Sequence, residues 1–166
     1  MPALEAGVAA PEVKLPLLDG GEFSLSQARK RGPVVLGFFK VNCPVCQLAF
    51  PYLERIYKAY GGSGKFTLAG VSQNDAGDTK NFNRQYGIGF PTLLDDTKKY
   101  PASNAYRLTN VPSVFMVSPE GEVEFSSVGW SKQDMEELNR RLAKVSGVAA
   151  VPLFKPGEQV PDFKPG

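Results

Sequence analysis

An apolar run, Val34-Val35-Leu36-Gly37-Phe38-Phe39, leads into Cys43-Pro44-Val45-Cys46, and beyond it apolar side chains recur at 45, 48, 49, 52, 53, 56, 57 and 60. The run is short, continuous and rich in β-branched and aromatic residues, which fits a buried strand; the later spacing is that of one face of an amphipathic helix. A strand that feeds a helix across a dithiol motif constrains the fold more than any other stretch of the chain. It calls for a sheet covered by helices.

Cys43 and Cys46 are the only cysteines in the 166 residues. They lie one helical turn apart, so they can close a disulfide with each other. Cys43 falls at the predicted helix N-terminus, where unpaired N–H groups and the macrodipole favour an anion. For a cysteine that anion is the thiolate, which is the attacking species in disulfide exchange. Cys46, on the same side, is placed to resolve the mixed disulfide that a first attack creates. A static staple is the plainer reading, but a loop this short removes little unfolded-state entropy.

Composition narrows the remaining chemistry. The absence of histidine excludes Cys-His and Ser-His catalysis and any His-ligated metal. Two cysteines alone do not complete a structural zinc site, so no metal and no cofactor is expected. Nineteen basic against seventeen acidic residues, without a dense basic cluster, argue against nucleic acid and anionic membranes as partners. No apolar stretch reaches the ~18 residues of a membrane span. Met1-Pro2-Ala3-Leu4-Glu5 lacks the charged and apolar regions of a secretory signal. A cytoplasmic placement is the expectation, or a periplasmic one if a leader has been removed.

Around this centre the pattern predicts a hairpin over 13–25 turned at Asp19-Gly20-Gly21, a short helix over 26–30 and a buried strand over 66–72. It continues with a helix over 79–86, a short strand over 91–95, a helix over 102–107, a strand over 113–117 and a returning strand over 122–128. Ser131 followed three residues on by Asp134 opens a final helix through Leu142. Strands alternate with helices early and form a hairpin late. The fold class expected is therefore α/β, a mixed central sheet with helices on both faces and an N-terminal β-hairpin.

Two regions are expected, a compact domain over 1–146 and an extended tail over 147–166. In the tail Val151-Pro152-Leu153-Phe154-Lys155-Pro156-Gly157 recurs as Val160-Pro161-Asp162-Phe163-Lys164-Pro165-Gly166, identical at six of seven positions. Its prolines forbid helix and favour extended chain. Phe154 and Phe163 are its natural anchors, either on this domain or on a neighbouring copy.

Taken together, Leu15-Pro16-Leu17-Leu18-Asp19-Gly20-Gly21, the 34–46 segment, Gly70-Val71-Ser72, Phe90-Pro91-Thr92-Leu93-Leu94-Asp95 and Val111-Pro112-Ser113-Val114-Phe115 resemble the thioredoxin superfamily. The resemblance is to its TlpA/ResA-like and AhpC/TSA-type redoxins. It implies a cis Val111-Pro112 bond facing the dithiol, with Cys43, Cys46 and Pro112 as the catalytic set. It also implies a substrate groove formed by Asn42, Pro44, Val45, Val111, Gly129 and Trp130. The partners it implies are protein dithiols and disulfides together with a reducing partner. Pro51 resembles the family's proline inside the active-site helix.

The departures from that pattern are informative. Gly37 stands where thioredoxin carries a buried Asp, Asn42 where it carries Trp, and Ala49 where ResA-like proteins carry Glu. The usual proton acceptor for Cys46 is thus missing. Lys40 is placed to modulate a thiol pKa by its charge, and Trp130 to supply the missing aromatic wall. Thiol–disulfide exchange is the function expected. Two alternatives stand beside it: a peroxiredoxin-type peroxidase with Cys46 as the peroxidatic thiol, although Cys43 and Phe39 replace the motif's Thr and Pro, and a non-enzymatic binding module.

Overall fold

A computed structural model describes residues 2–166. Strands β1 (Lys14–Pro16) and β2 (Glu22–Ser24) form the expected hairpin, followed by a short helix α1 (Leu25–Ala28) capped by the Ser24 hydroxyl. The next elements are β3 (Val34–Phe39), α2 (Pro44–Tyr60), β4 (Thr67–Ser72), α3 (Ala76–Tyr86) and β5 (Thr92–Leu94). Then come α4 (Pro101–Ala105), β6 (Ser113–Val117), β7 (Val123–Val128), β8 (Trp130–Ser131), α5 (Lys132–Ser146) and β9 (Phe163–Lys164).

Five strands make one mixed sheet in the order β5-β4-β3-β6-β7, with β3, β4 and β5 parallel and β6 and β7 antiparallel to their neighbours. This is the architecture expected of the sequence. All six residues of β3 are buried, as befits a central strand covered on both faces. Alternation divides its side chains between two cores. Val35 and Phe39 join α2 and α5 on one face, while Val34, Leu36 and Phe38 join α1, α4 and the N-terminal segment on the other.

Gly37 and Gly70 are paired across β3 and β4. A Cβ on either would touch the Phe50 ring, at 3.5 and 3.4 Å. Their missing side chains let α2 press Phe50 onto the sheet, where it also meets Phe39 at 4.3 Å between ring centroids. Two predicted helix limits move by three residues or more. Helix α3 begins three residues earlier than the spacing suggests, because the Asp75 carboxylate accepts the Asp78 N–H at 2.8 Å as an N-cap. Helix α5 runs on to Ser146 and ends at Gly147 in the left-handed region.

Residues 147–166 turn back over α2 and α5. The Val151 N–H donates to the Tyr60 hydroxyl at 3.0 Å, and Asn139 Nδ2 donates to the Val151 carbonyl at 2.8 Å. Leu153 is buried. Phe154 packs 5.2 Å from the Tyr52 ring and 6.2 Å from Trp130. Arg55 donates from both terminal nitrogens to the Glu158 carboxylate at 2.8 and 2.7 Å. The two repeat copies behave differently. Copy one is an anchor, whereas copy two runs as β9, antiparallel to β8, with Phe163 60% exposed.

Truncating the anchor, Leu153→Ala, should destabilise the protein by about 2 kcal/mol in denaturant titration. The Glu158 carboxyl is held down to about 2, chiefly by its hydrogen bonds from Arg55, against an ordinary value of 4.5. A depressed carboxyl stabilises the fold above its unfolded value and loses that contribution as pH falls through its folded one. Tail docking should therefore hold above pH 4.5 and weaken as pH falls toward 2, read from the emission of Trp130, the single tryptophan.

Candidate active site

Strand β3 ends at Phe39, and the three residues that follow deliver Cys43 to the N-terminus of α2. Cys43 is itself the N-cap, with extended backbone, and its Sγ accepts the Cys46 N–H at 3.2 Å. Pro44 takes the first helical position, where its missing N–H costs nothing. The approach loop is clamped at Val41, whose N–H donates to Asn74 Oδ1 at 3.0 Å and whose carbonyl accepts from Gln47 Nε2 at 3.0 Å. Neither Asn74 nor Gln47 carries a motif that marks it in the sequence. Only proximity in space reveals them.

The two sulfurs differ in environment. Cys43 is half-buried, whereas Cys46 is fully enclosed by the core. Burial pushes the Cys46 thiol well above its ordinary value, and its hydrogen bond with Cys43 pushes the same way. The backbone and charge of Lys40 oppose this shift and do not overcome it. Lys40, expected to modulate a thiol, is exposed, and its effect on Cys46 is the smaller one.

No carboxylate acts on Cys46. A Cβ at Gly37 would lie 3.3 Å from Leu53 Cδ1 and 3.5 Å from Phe50 Cζ, so apolar side chains fill the space next to that backbone. The buried carboxylates are committed elsewhere. Glu54 accepts the Gly89 and Phe90 N–H groups at 2.8 and 3.3 Å, and Asp95 accepts from the Ala102 and Ser103 N–H groups and the Ser103 hydroxyl at 3.1, 2.9 and 2.7 Å.

The loop before β6 comes to the dithiol from the other side. The Val111-Pro112 peptide is cis. The Cys43 thiol donates to the Val111 carbonyl at 3.5 Å, and the Pro112 carbonyl accepts the Gly129 N–H at 2.8 Å. Cys43, Val111, Pro112 and Gly129 thus share one patch, rimmed by exposed Asn42 and Pro44 and half-buried Val45. Trp130 does not join it as an aromatic wall. Its ring is completely buried, packed 5.2 Å from Tyr52 beneath Phe154, and its Nε1–H donates to the Pro161 carbonyl at 2.6 Å. The tail covers the face it would otherwise present. Among the described residues no group of His, Cys, Asp and Glu side chains is arranged to hold a metal ion, and no helix is long and apolar enough to cross a membrane.

Residues 6–126 match the AhpC/TSA family. The chain belongs to that family. It is 30% identical over 135 residues to the thiol-disulfide oxidoreductase ResA of Geobacillus kaustophilus, covering 81% of this chain and 76% of the relative. A Chlorobium tepidum structure assigned as the thiol:disulfide interchange protein DsbE superimposes with a TM-score of 0.74 at 26% identity, over 87% of this chain and all of that one. A Bacteroides thetaiotaomicron protein assigned as a protein disulfide isomerase shares the fold, with a TM-score of 0.80 at 19% identity over 89% of this chain and 95% of the other.

The difference in exposure predicts the order of labelling. Iodoacetamide at neutral pH should modify Cys43 in the native reduced protein and reach Cys46 only after denaturation, as read by peptide mass mapping. Labelling of Cys46 first would contradict the assigned roles.

Proposed function

We propose that this AhpC/TSA-family protein is a thiol–disulfide oxidoreductase that acts on protein thiols through Cys43 and Cys46. The observation that carries the reading is the asymmetry of the pair. One sulfur caps a helix at a surface patch, and the other lies buried one turn behind it. Relatives named thiol-disulfide oxidoreductase support it.

In the reductive direction the Cys43 thiolate attacks one sulfur of a substrate disulfide. The substrate S–S bond breaks, a mixed disulfide forms, and the other substrate sulfur leaves as a thiolate. Cys46 then loses its proton and attacks the Cys43 sulfur, which closes the Cys43–Cys46 disulfide and releases the second substrate thiolate. Two electrons have passed to the substrate, whose thiolates take up the two protons, and a reducing partner restores the dithiol. The reverse sequence oxidises a dithiol. The Cys46 N–H points at the Cys43 sulfur at 3.2 Å, a hydrogen-bond donor for that atom both as attacker and as leaving group. The Val111-Pro112 and Gly129 backbone, with Asn42, Pro44 and Val45, would form the surface that receives the substrate chain.

A peroxidase reading needs Cys46 as an accessible thiolate. Its complete burial and raised pKa count against that. A pure binding module has no use for a half-exposed thiol backed by a resolving one.

Insulin reduction with dithiothreitol as electron donor tests the proposal. Cys43→Ser should abolish activity, while Cys46→Ser should accumulate a mixed disulfide at Cys43 visible on non-reducing gels. An active Cys43→Ser variant would overturn the assignment. Because the Cys46 thiol is raised above 9.0 with no carboxylate beside it, its thiolate fraction at neutral pH is small. Resolution in single-turnover stopped flow should therefore speed up about tenfold per pH unit between pH 6 and 8.

A further inference from the structure

The end of the tail lies on the patch that holds Cys43. Strand β9 pairs Lys164 with Trp130 and Phe163 with Ser131, and the pairing is extended by a hydrogen bond from the Lys132 N–H to the Asp162 carbonyl at 2.9 Å. Beyond Lys164 the chain passes directly over Gly129, where a Cβ would lie 2.5 Å from the Lys164 carbonyl oxygen and 3.0 Å from the Gly166 nitrogen. It then reaches the loop before β6. Asn110 Nδ2 donates to the Gly166 carbonyl at 3.1 Å, and a Cβ on Gly166 would run into the Val111 carbonyl oxygen. That oxygen is the acceptor of the Cys43 thiol. The tail backbone therefore fills the cleft between Gly129 and Val111, whose carbonyl faces the reactive sulfur.

We infer that in the free protein Lys164-Pro165-Gly166 occupies the cleft beside Cys43, so that a protein disulfide gains Cys43 by displacing the tail. The inference rests on the oxidoreductase reading above. Beyond Val160, which packs partly buried against the core, the strand makes few side-chain contacts. Its Phe163 side chain is exposed, and Pro161, Asp162 and Lys164 reach the domain through backbone atoms. The strong anchors, Leu153 and Phe154 of the first repeat copy and Glu158 just after it, paired with Arg55 of α2, keep the second copy close after it lets go. Tethering in this way keeps a weak occupant at a high effective concentration. A small disulfide needs only the exposed side of the Cys43 sulfur, whereas a folded protein substrate needs the cleft as well.

Two full-chain variants test this. Gly166→Val places a side chain against the Val111 carbonyl. Lys164→Pro removes an N–H from β9, since amide bonds are exchanged at alternate pairs and the 132/162 pair is a bonded one. Both should shift Trp130 emission to the red as its bond to Pro161 is lost. Both should raise kcat/KM for insulin by about tenfold, as expected if the cleft is open in only about one molecule in ten of the wild type. The rate of reduction of the small aromatic disulfide 5,5′-dithiobis(2-nitrobenzoate) should stay within about twofold of wild type. Red-shifted emission with an unchanged insulin rate would overturn the inference. So would unchanged emission and rate in both variants, because the segment would then tolerate what the cleft cannot hold. If no form of the protein reduces insulin, the oxidoreductase reading itself fails, a result separate from either of these.

Discussion

The contact on which the site depends is the one between Phe50 and the glycine pair of the central strands. Gly37 and Gly70 stand side by side, and the Phe50 ring fills the space two side chains would take. Close-packed interiors leave little latitude at such a contact. It fixes the depth at which α2 lies on the sheet. Phe50 is two turns from Cys43 along α2, so the same contact fixes where the helix N-terminus presents its N–H groups. A side chain at Gly37 would meet both Phe50 and Leu53. The position that carries an acid in thioredoxin is here given over to packing, and the site has to manage its protons without a buried carboxylate.

That arrangement separates the two thiols by environment rather than by charge. Cys43 has a helix terminus on one side and a backbone carbonyl on the other; Cys46 has hydrocarbon. Desolvation of a charged sulfur outweighs the charge of an exposed lysine, which solvent screens. The electrostatics of Lys40 are therefore secondary, although from the sequence it is the only charged group near the motif.

Much of this was legible in the chain. A buried strand, a dithiol and an amphipathic helix in immediate succession specify the centre of the sheet. Ser131 with Asp134 announces α5, and Val111-Pro112 before an apolar strand locates the loop opposite the cysteines. What escaped has a common cause. The clamp of Val41 by Asn74 and Gln47, the burial of Trp130 and the pairing of β8 with β9 all arise between segments distant in sequence. Periodicity reports on a segment's own faces and says nothing of what covers them. Trp130 follows a glycine in a loop, and nothing local shows that Phe154 and Pro161 return to enclose it.

The repeat in the tail makes the same point about identical sequence in different surroundings. Val-Pro-x-Phe-Lys-Pro-Gly occurs twice, yet the first copy buries its x residue, Leu153, and packs its Phe, while the second exposes Asp162 and Phe163 and, apart from Val160, binds mainly through its backbone. The one position at which they differ accounts for this. Leucine at 153 has apolar area to remove from water, worth about 2 kcal/mol, and it carries its neighbour Phe154 down with it. Aspartate at 162 has none, so the second copy keeps the extended, proline-stiffened form and spends its carbonyls on Trp130, Lys132 and Asn110. Proline restricts the free chain beforehand, which lowers the ordering cost of such a contact. A strand bound mainly through its backbone is also one that another strand can replace. The sequence difference between the copies thus assigns one to holding the tail and the other to the cleft.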